Sequence, residues 1–518
     1  MAESFYAWGR EDPTRLALVD ALGNQKTFGE MLARVNQISN ALQSLGLHRG
    51  SAVAMLLANR SEWLEFILAG LQSGLYVTPI NFHLTAPEVA YILENSEAEA
   101  FLSDERFAET ATAARDQAGI AADKAFALGT IAGFRDFTSW VDSFSSSEPS
   151  ELSAGSAMLY TSGTTGRPKG VRRALPEGSP EESAAAAGLL ALLFNMEAGK
   201  GVHLAAGPLY HAAPGAFAQA ALHLGHTVVL MDKWTPEGTL ERIQEYQVTN
   251  THFVPTMFHR LLKLPEEQRL SYGVSSLQQV VHAAAPTPSE TKHKMMEWFG
   301  PVLYEYYAGT EGGGTFVGPG EWLEHPGTVG RPFPMAEVKI LDDRGQELPA
   351  GEVGEVYMGL PNIGGLAGFE YYKDPEKTQK SYRGGLFTLG DAGYVDEEGY
   401  LFLTDRKSDM IISGGVNIYP AEIEAVLVQH PAVRDVAVFG IPDDDWGEQI
   451  KAVIELSEGY VPEPTLVDEL FKFAETQLAR YKLPKSVDFS PELPRTLAGK
   501  LYKRRLRDPY WEGRNRRI

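Results

Sequence analysis

Ten consecutive residues, Thr161-Ser162-Gly163-Thr164-Thr165-Gly166-Arg167-Pro168-Lys169-Gly170, carry the most legible chemistry of the chain. Their glycines let the backbone turn successive N–H groups toward one anion. The hydroxyls of Thr161, Ser162, Thr164 and Thr165 add donors, and Lys169 adds positive charge. A cradle of this kind suits a polyphosphate. It is not the G-x-x-x-x-G-K-[ST] loop, because Pro168 stands five residues after Gly163. No G-x-G-x-x-G occurs anywhere in the sequence.

The elements that must position this loop follow from periodicity. Apolar residues at helical spacing over 28–45 and 61–73 flank a strand-like run at 51–57, and 100–103 and 228–231 read as short buried strands. Such alternation predicts parallel sheets covered by helices. Residues 145–153 form a Ser-, Glu- and Pro-rich connector. After about residue 330, short strands at 338–341, 354–358 and 400–403 are separated by Asp-Asp-Arg-Gly and Asp-Glu-Glu-Gly turns, which predicts antiparallel hairpins or a small barrel. A last α+β unit follows, with helices at 421–429 and 465–478 and strands at 435–439 and 450–456. The expected fold class is α/β: a large N-terminal domain of parallel α/β sheets with a small β-barrel-like subdomain, 1–407, and a small mobile α+β domain, 408–518.

Composition narrows the function classes. A chain of 518 residues exceeds the size at which one core stops growing. Hydrophobic residues at 44% and charged ones at 22% are globular proportions, so extended disorder is excluded. A net charge of 46 − 68 = −22 argues against a general nucleic-acid binder, although the basic run 500–518 leaves room for a local anion site or a solvated tail. The absence of cysteine removes disulfides, thiolate metal sites and cysteine nucleophiles. No signal peptide is visible, and the uncharged run 201–231 carries Pro208, Pro214 and four histidines, a mixture that fits buried core rather than a membrane helix. A soluble, cytoplasmic protein without an integral membrane segment is the expectation.

Several motifs stand in a fixed order along the chain: the 161–170 loop, His282-Ala283-Ala284-Ala285-Pro286, Tyr306-Tyr307-Ala308-Gly309-Thr310-Glu311, Leu389-Gly390-Asp391, Asp405-Arg406-Lys407-Ser408, Ser413-Gly414-Gly415 and Pro494-Arg495-Thr496-Leu497-Ala498-Gly499-Lys500. Together they resemble the adenylate-forming superfamily, which includes acyl-CoA synthetases, peptide-synthetase adenylation domains and beetle luciferases. The likeness runs from about Tyr160 to Lys500; the first 150 residues fit by length and strand–helix texture alone.

The resemblance implies roles. Thr161, Ser162, Gly163, Thr164, Thr165 and Gly166, with Lys169, would hold the ATP phosphates. Ala284, Ala285 and Pro286 would line one adenine face, with Tyr306 and Tyr307 beside the ring. Thr310 would meet a phosphate, and Glu311 with Thr161 would hold Mg²⁺, which prefers hard oxygen ligands. Asp391 would accept from both ribose hydroxyls, as a carboxylate can, with Arg406 beside it. Lys500 would bring the cation that offsets repulsion between a carboxylate and the α-phosphate. Ser408 would be the hinge between half-reactions, where the family usually has Asp or Lys.

His211, alone in an apolar run, would otherwise read as packed core; the resemblance makes it the gate of an acyl pocket that includes Ala212, Phe258, Gly309 and Gly313. His203, His223 and His226 read as core. Gly414 and Gly415 would line a pantetheine tunnel, and Trp446 and Lys482, with Arg480 and Lys485, would meet the nucleotide end of coenzyme A. The implied function is a ligase that adenylates a hydrophobic acid with ATP and transfers the acyl group to coenzyme A, an amine being the alternative acceptor and a non-catalytic nucleotide sensor the alternative class. Small and apolar pocket positions leave a medium-to-long aliphatic, an aromatic or a polycyclic acid open. Oligomeric state is also open, a homodimer being one option. Arg172-Arg173 stands where the family often has His-x-Asn, and Ala308 where it usually has Gly.

Overall fold

A computed structural model describes residues 4–161, 168–184, 193–285, 287–334, 336–359, 368–406, 409–413, 416–443, 446–495 and 501–512. The strand Ala52–Leu56 is buried at every position, the pattern of a parallel strand covered on both faces. It lies at the centre of a parallel sheet with Ala98–Asp104, Ala125–Leu128 and Arg135–Asp136 on one side and Tyr76–Pro79 and Ser156–Ala157 on the other. The helix Phe28–Ser44 opens on a reciprocal Thr27/Glu30 capping box and buries Phe28, Met31, Val35, Ile38 and Leu42, one stripe at helical spacing.

A second sheet has a parallel core, in the order Leu303–Gly309, Gln279–His282, Asn250–Phe253, Val202–Ala205, Thr227–Leu230 and Leu16–Val19. Antiparallel strands Gly312–Val317 and Arg331–Pro332 extend it at one edge. The helix Ala212–His223 covers one face, while Pro236–Tyr246, Pro255–Leu262 and Ser289–Phe299 bury their apolar residues in a separate core on the other.

The expected small barrel is a five-stranded antiparallel sheet built from Glu337–Leu341, Gly354–Gly359, Tyr382–Arg383, Leu386–Val395 and Leu401–Arg406. Gly330 ties it to the large sheet: its backbone bridges Leu401, its φ is +98°, and a Cβ there would lie 1.9 Å from the Phe316 carbonyl oxygen. Gly330→Ala is expected to destabilise the protein by roughly 2–4 kcal/mol, from left-handed strain plus a backbone clash. A urea midpoint equal to the parent's would contradict this account.

The C-terminal body has its own sheet, with Val433–Asp443 and Gly447–Leu456 as an antiparallel pair, Ser486–Phe489 added in parallel, and the small hairpin Ile411–Ser413 and Val416–Ile418. Helices Pro420–Leu427 and Pro464–Glu475 cover it. Its apolar clusters contain only residues from Ile411 onward, and the clusters of the N-terminal part end at Leu403. Across the division, Lys263 Nζ donates to the Val433 carbonyl (3.2 Å) and to Ser457 Oγ (2.9 Å), and His259 Nε2 lies 3.1 Å from the Arg434 carbonyl. Among the described residues, no helix is long and apolar enough to cross a membrane.

Candidate active site

The glycine-rich segment is the connection of a β-hairpin. Leu159–Thr161 and Lys169–Arg172 pair antiparallel, with Thr161 opposite Lys169, and Glu370–Tyr371 adds a third strand. Ser162, Gly163, Thr164, Thr165 and Gly166 lie outside the described residues. Lys169 Nζ stands 3.5 Å from Asp374 Oδ2 and 5.4 Å from the centre of the Tyr371 ring. The Tyr371 hydroxyl in turn donates to Glu311 Oε1 at 2.8 Å. The hairpin base and the Glu311 turn are thereby joined through residues 370–374, which sequence reasoning missed. No local signal marks Tyr371, because its contacts come from pairing with a strand two hundred residues earlier.

Arg173 gives the departure noted after Lys169 a physical account. Its Nη2 donates to the main-chain carbonyls of Thr310 and Glu311, both at 2.9 Å. Its own carbonyl accepts from Tyr76 Oη at 2.8 Å. Arg172 is sandwiched between the Tyr76 and Tyr372 rings, 4.1 and 4.4 Å from their centres. The pair of arginines therefore buttresses the Thr310–Glu311 turn against the first sheet.

Tyr307 and Asp391 come together, the phenol donating to Asp391 Oδ2 at 2.7 Å. Asp391 stands opposite Arg406 in the strand register; the Arg406 side chain lies outside the described residues. At the end of the Gln279–His282 strand, Ala284 holds a left-handed φ of 77°, uncommon for a residue with a Cβ, and Ala284 and Ala285 keep accessible surface. Pro286 lies outside the described residues.

His211 caps the helix Ala212–His223 through its backbone, its ring 4.4 Å from Tyr210, whose ring meets Phe82 edge-on at 5.1 Å. Burial pushes the Tyr210 hydroxyl up, and nearby Tyr502 of the C-terminal body adds to that effect. Arg495 and Leu501, on either side of the Lys500 segment, bridge antiparallel; Lys500 itself lies outside the described residues, as do Ser408, Gly414 and Gly415.

Three residues expected in the acyl pocket have the following surroundings. Phe258 is fully buried on the sheet face opposite the His211 helix, against Phe253 and His282. Gly313 does not leave open room, because a Cβ there would lie 2.6 Å from the Phe333 ring. Gly309 is likewise closed by Leu389 and the Glu311 carboxylate, 2.7 and 2.8 Å from its would-be Cβ. Both glycines keep some accessible surface, and a side chain at either would need its neighbours to move.

Ala212 is half-buried at the start of its helix. Burial holds His203 and His223 at about 4, well below the usual imidazole range. His203 and His226 share Asn250 in a buried hydrogen-bonded chain, and no group of three or more metal-binding side chains exists among the described residues. In the C-terminal body, Trp446 is exposed with Lys485 Nζ 5.1 Å from its ring, whereas Lys482 is held by both oxygens of Glu422 at 2.7 Å.

The base of the Thr161/Lys169 hairpin, the Glu311 carboxylate on the Tyr371 phenol, and the Tyr307–Asp391 pair, which joins the last parallel strand of the large sheet to the antiparallel sheet, are thus linked through residues 370–374 and the Glu311 turn. The chain belongs to the AMP-binding enzyme family, which matches residues 5–365, with the AMP-binding enzyme C-terminal domain at 422–500; it is an AMP-forming ligase of the adenylate-forming superfamily. It is 34% identical to a feruloyl-CoA synthase of an Amycolatopsis species, over 94% of each chain. Its fold matches the anthranilate CoA ligase AuaEII in complex with anthranoyl-AMP, at TM-score 0.86 and 26% identity over 98% of this chain and 97% of that one. It also matches the amide bond synthetase McbA of Marinactinospora thermotolerans, at TM-score 0.82 and 27% identity over 98% and 100%.

Proposed function

We propose that this AMP-forming acyl-CoA ligase adenylates a hydrophobic carboxylic acid on the Thr161–Lys169 hairpin and the Glu311 turn, then passes the acyl group to coenzyme A. The observation that carries the reading is the convergence of Lys169, Tyr371, Glu311 and Arg173 behind that turn, with Tyr307 and Asp391 paired beside it. The carboxylate attacks the ATP α-phosphorus, the bond to pyrophosphate breaks, and AMP becomes the leaving group of an acyl-adenylate. Thiolate attack on the acyl carbon then expels AMP and leaves the thioester. Placement and electrostatics carry most of the first step.

Each side chain has a part in this scheme. Asp391 takes the ribose hydroxyls with Arg406, Tyr307 and residues 284–286 take adenine, and Lys500 neutralises charge between carboxylate and α-phosphate. Glu311 Oε1 accepts from the Tyr371 phenol, and a carboxylate placed there is an oxygen ligand of the kind a hard cation prefers. Magnesium held by Glu311 and Thr161 would supply charge neutralisation to the phosphates. His211 gates the acyl pocket. The 408–518 domain turns about Ser408 to bring Gly414, Gly415 and Trp446 to the thiol step, breaking the His259 and Lys263 contacts to Arg434 and Val433.

Acid-stimulated ATP–pyrophosphate exchange, followed by product mass spectrometry with coenzyme A or an amine as sole acceptor, tests the two steps separately. The McbA likeness favours the amine as second reading, and amide as the main product would establish it. Arg173→Lys shortens the reach to the Thr310 and Glu311 carbonyls. Loss of one of these hydrogen bonds from a charged donor corresponds to about 10- to 100-fold, expected as a rise in the KM for MgATP and in the dissociation constant of a non-hydrolysable ATP analogue. Unchanged values of both would remove Arg173 from the scheme.

A further inference from the structure

Below His211 the helix Ala212–His223 lies over a sheet face with an unusual polar end. Phe217 follows Ala213 by four residues on the same helical face, about 6 Å farther from the His211 end. Its ring centre lies 5.6 Å from Phe194, 5.0 Å from His252 and 6.1 Å from Tyr306. Phe194 meets Tyr304 edge-on at 6.1 Å and Tyr306 at 5.9 Å. Tyr306 directly precedes Tyr307 in an extended strand, so the two rings point to opposite faces: Tyr307 to Asp391, Tyr306 to the helix. Tyr304 and Tyr306 keep accessible surface although aromatic rings surround them, as groups lining a crevice do.

At the closed end stands His252, only 3% exposed. Its Nε2 and the Tyr306 hydroxyl are 3.1 Å apart, and its Nδ1 has no hydrogen-bond partner. Neither tautomer satisfies the pair. If the phenol donates to Nε2, the hydrogen on Nδ1 lacks an acceptor; if Nε2 donates, the Nδ1 lone pair and the phenolic hydrogen are both unmet. Buried polar groups are ordinarily paired. Burial, reinforced by His203, holds the His252 imidazole at about 3, so it is neutral and offers no counter-charge to a second carboxylate.

We infer that this crevice selects an aromatic carboxylic acid bearing an uncharged hydroxyl or amino group at the end remote from its carboxylate, with His252 Nδ1 and the Tyr306 hydroxyl as the partners of that group. This rests on the proposed adenylation of an acid whose pocket His211 gates. The aromatic rings of Phe194, Phe217 and Tyr306 offer flat walls that suit a ring.

The test compares acids differing in one substituent: 4-hydroxycinnamate against cinnamate, and 4-hydroxybenzoate against benzoate, by pyrophosphate release. A site built around a substrate hydroxyl discriminates strongly against the analogue lacking it, so kcat/KM for at least one hydroxylated member should exceed its partner's by about tenfold or more. His252→Leu should narrow that ratio toward one through the KM for the hydroxylated acid, and His252→Gln should restore part of it. Should His252→Leu fail to fold, Tyr306→Phe, which keeps the ring, should narrow the ratio as well. Equal use of both members by the parent enzyme, or ratios unmoved by these variants, overturns the inference. Release with unrelated acids but none of these four overturns it while the adenylation reading stands; release with no acid at all defeats both.

Discussion

Lys500→Ala is expected to lower acid-dependent pyrophosphate release by roughly 100- to 1,000-fold, the loss seen when one preorganised charge or donor is removed from a transition state. Thioester formation from a supplied acyl-adenylate should persist, because that step begins after the α-phosphate has been attacked. Arg495 and Leu501, on either side of this segment, bridge antiparallel, and Tyr502 acts electrostatically on Tyr210, the neighbour of His211. Equal loss of both half-reactions would show instead that Lys500 is structural, or that the small domain does not exchange roles.

The largest stability effect is expected at Lys292. This residue is fully buried, its Nζ lies 2.6 Å from Glu305 Oε2, and it stands 4.5 Å from the centre of the Trp322 ring. Burial and Lys292 itself hold His282, 3.7 Å from the same carboxylate oxygen, well below the usual imidazole range, so it is neutral and cannot replace the ammonium. Removing one partner of a buried ion pair leaves an uncompensated charge, at a cost of about 3–5 kcal/mol. Lys292→Met should therefore lower the urea midpoint sharply, and adding Glu305→Gln should recover much of the loss. A double variant no better than the single one would contradict the ion-pair explanation. Because Glu305 directly precedes Tyr306 and Tyr307, the single variant should also weaken nucleotide binding.

The sequence disclosed what is local. Residues 28–45 carry a helical stripe, and the helix found is Phe28–Ser44; the run at 51–57 is the strand Ala52–Leu56. The 161–170 string, the Tyr307 motif and Asp391 stood out in the sequence as short strings whose residue types suit one task; the structure adds the hairpin base and the Tyr307–Asp391 hydrogen bond. Contacts made by pairing distant strands were not legible there. Tyr371 reaches Glu311 because Glu370–Tyr371 lies beside Lys169–Arg172. Nothing in the sequence shows that the Phe333 ring, twenty residues later, stands where a Gly313 side chain would go. His252 carries no mark at all in sequence, where a histidine among apolar neighbours reads as core; its open nitrogen emerges only once Tyr306 is placed beside it.

The separation of apolar interiors at residues 403–411 bears on how fast such an enzyme can work. The described bonds joining the two halves reach main-chain oxygens and one serine hydroxyl, groups that water satisfies almost as well. In the proposed scheme, parting the halves breaks these bonds without opening a shared apolar cluster, so the swing costs little and turnover is paced by chemistry or product escape.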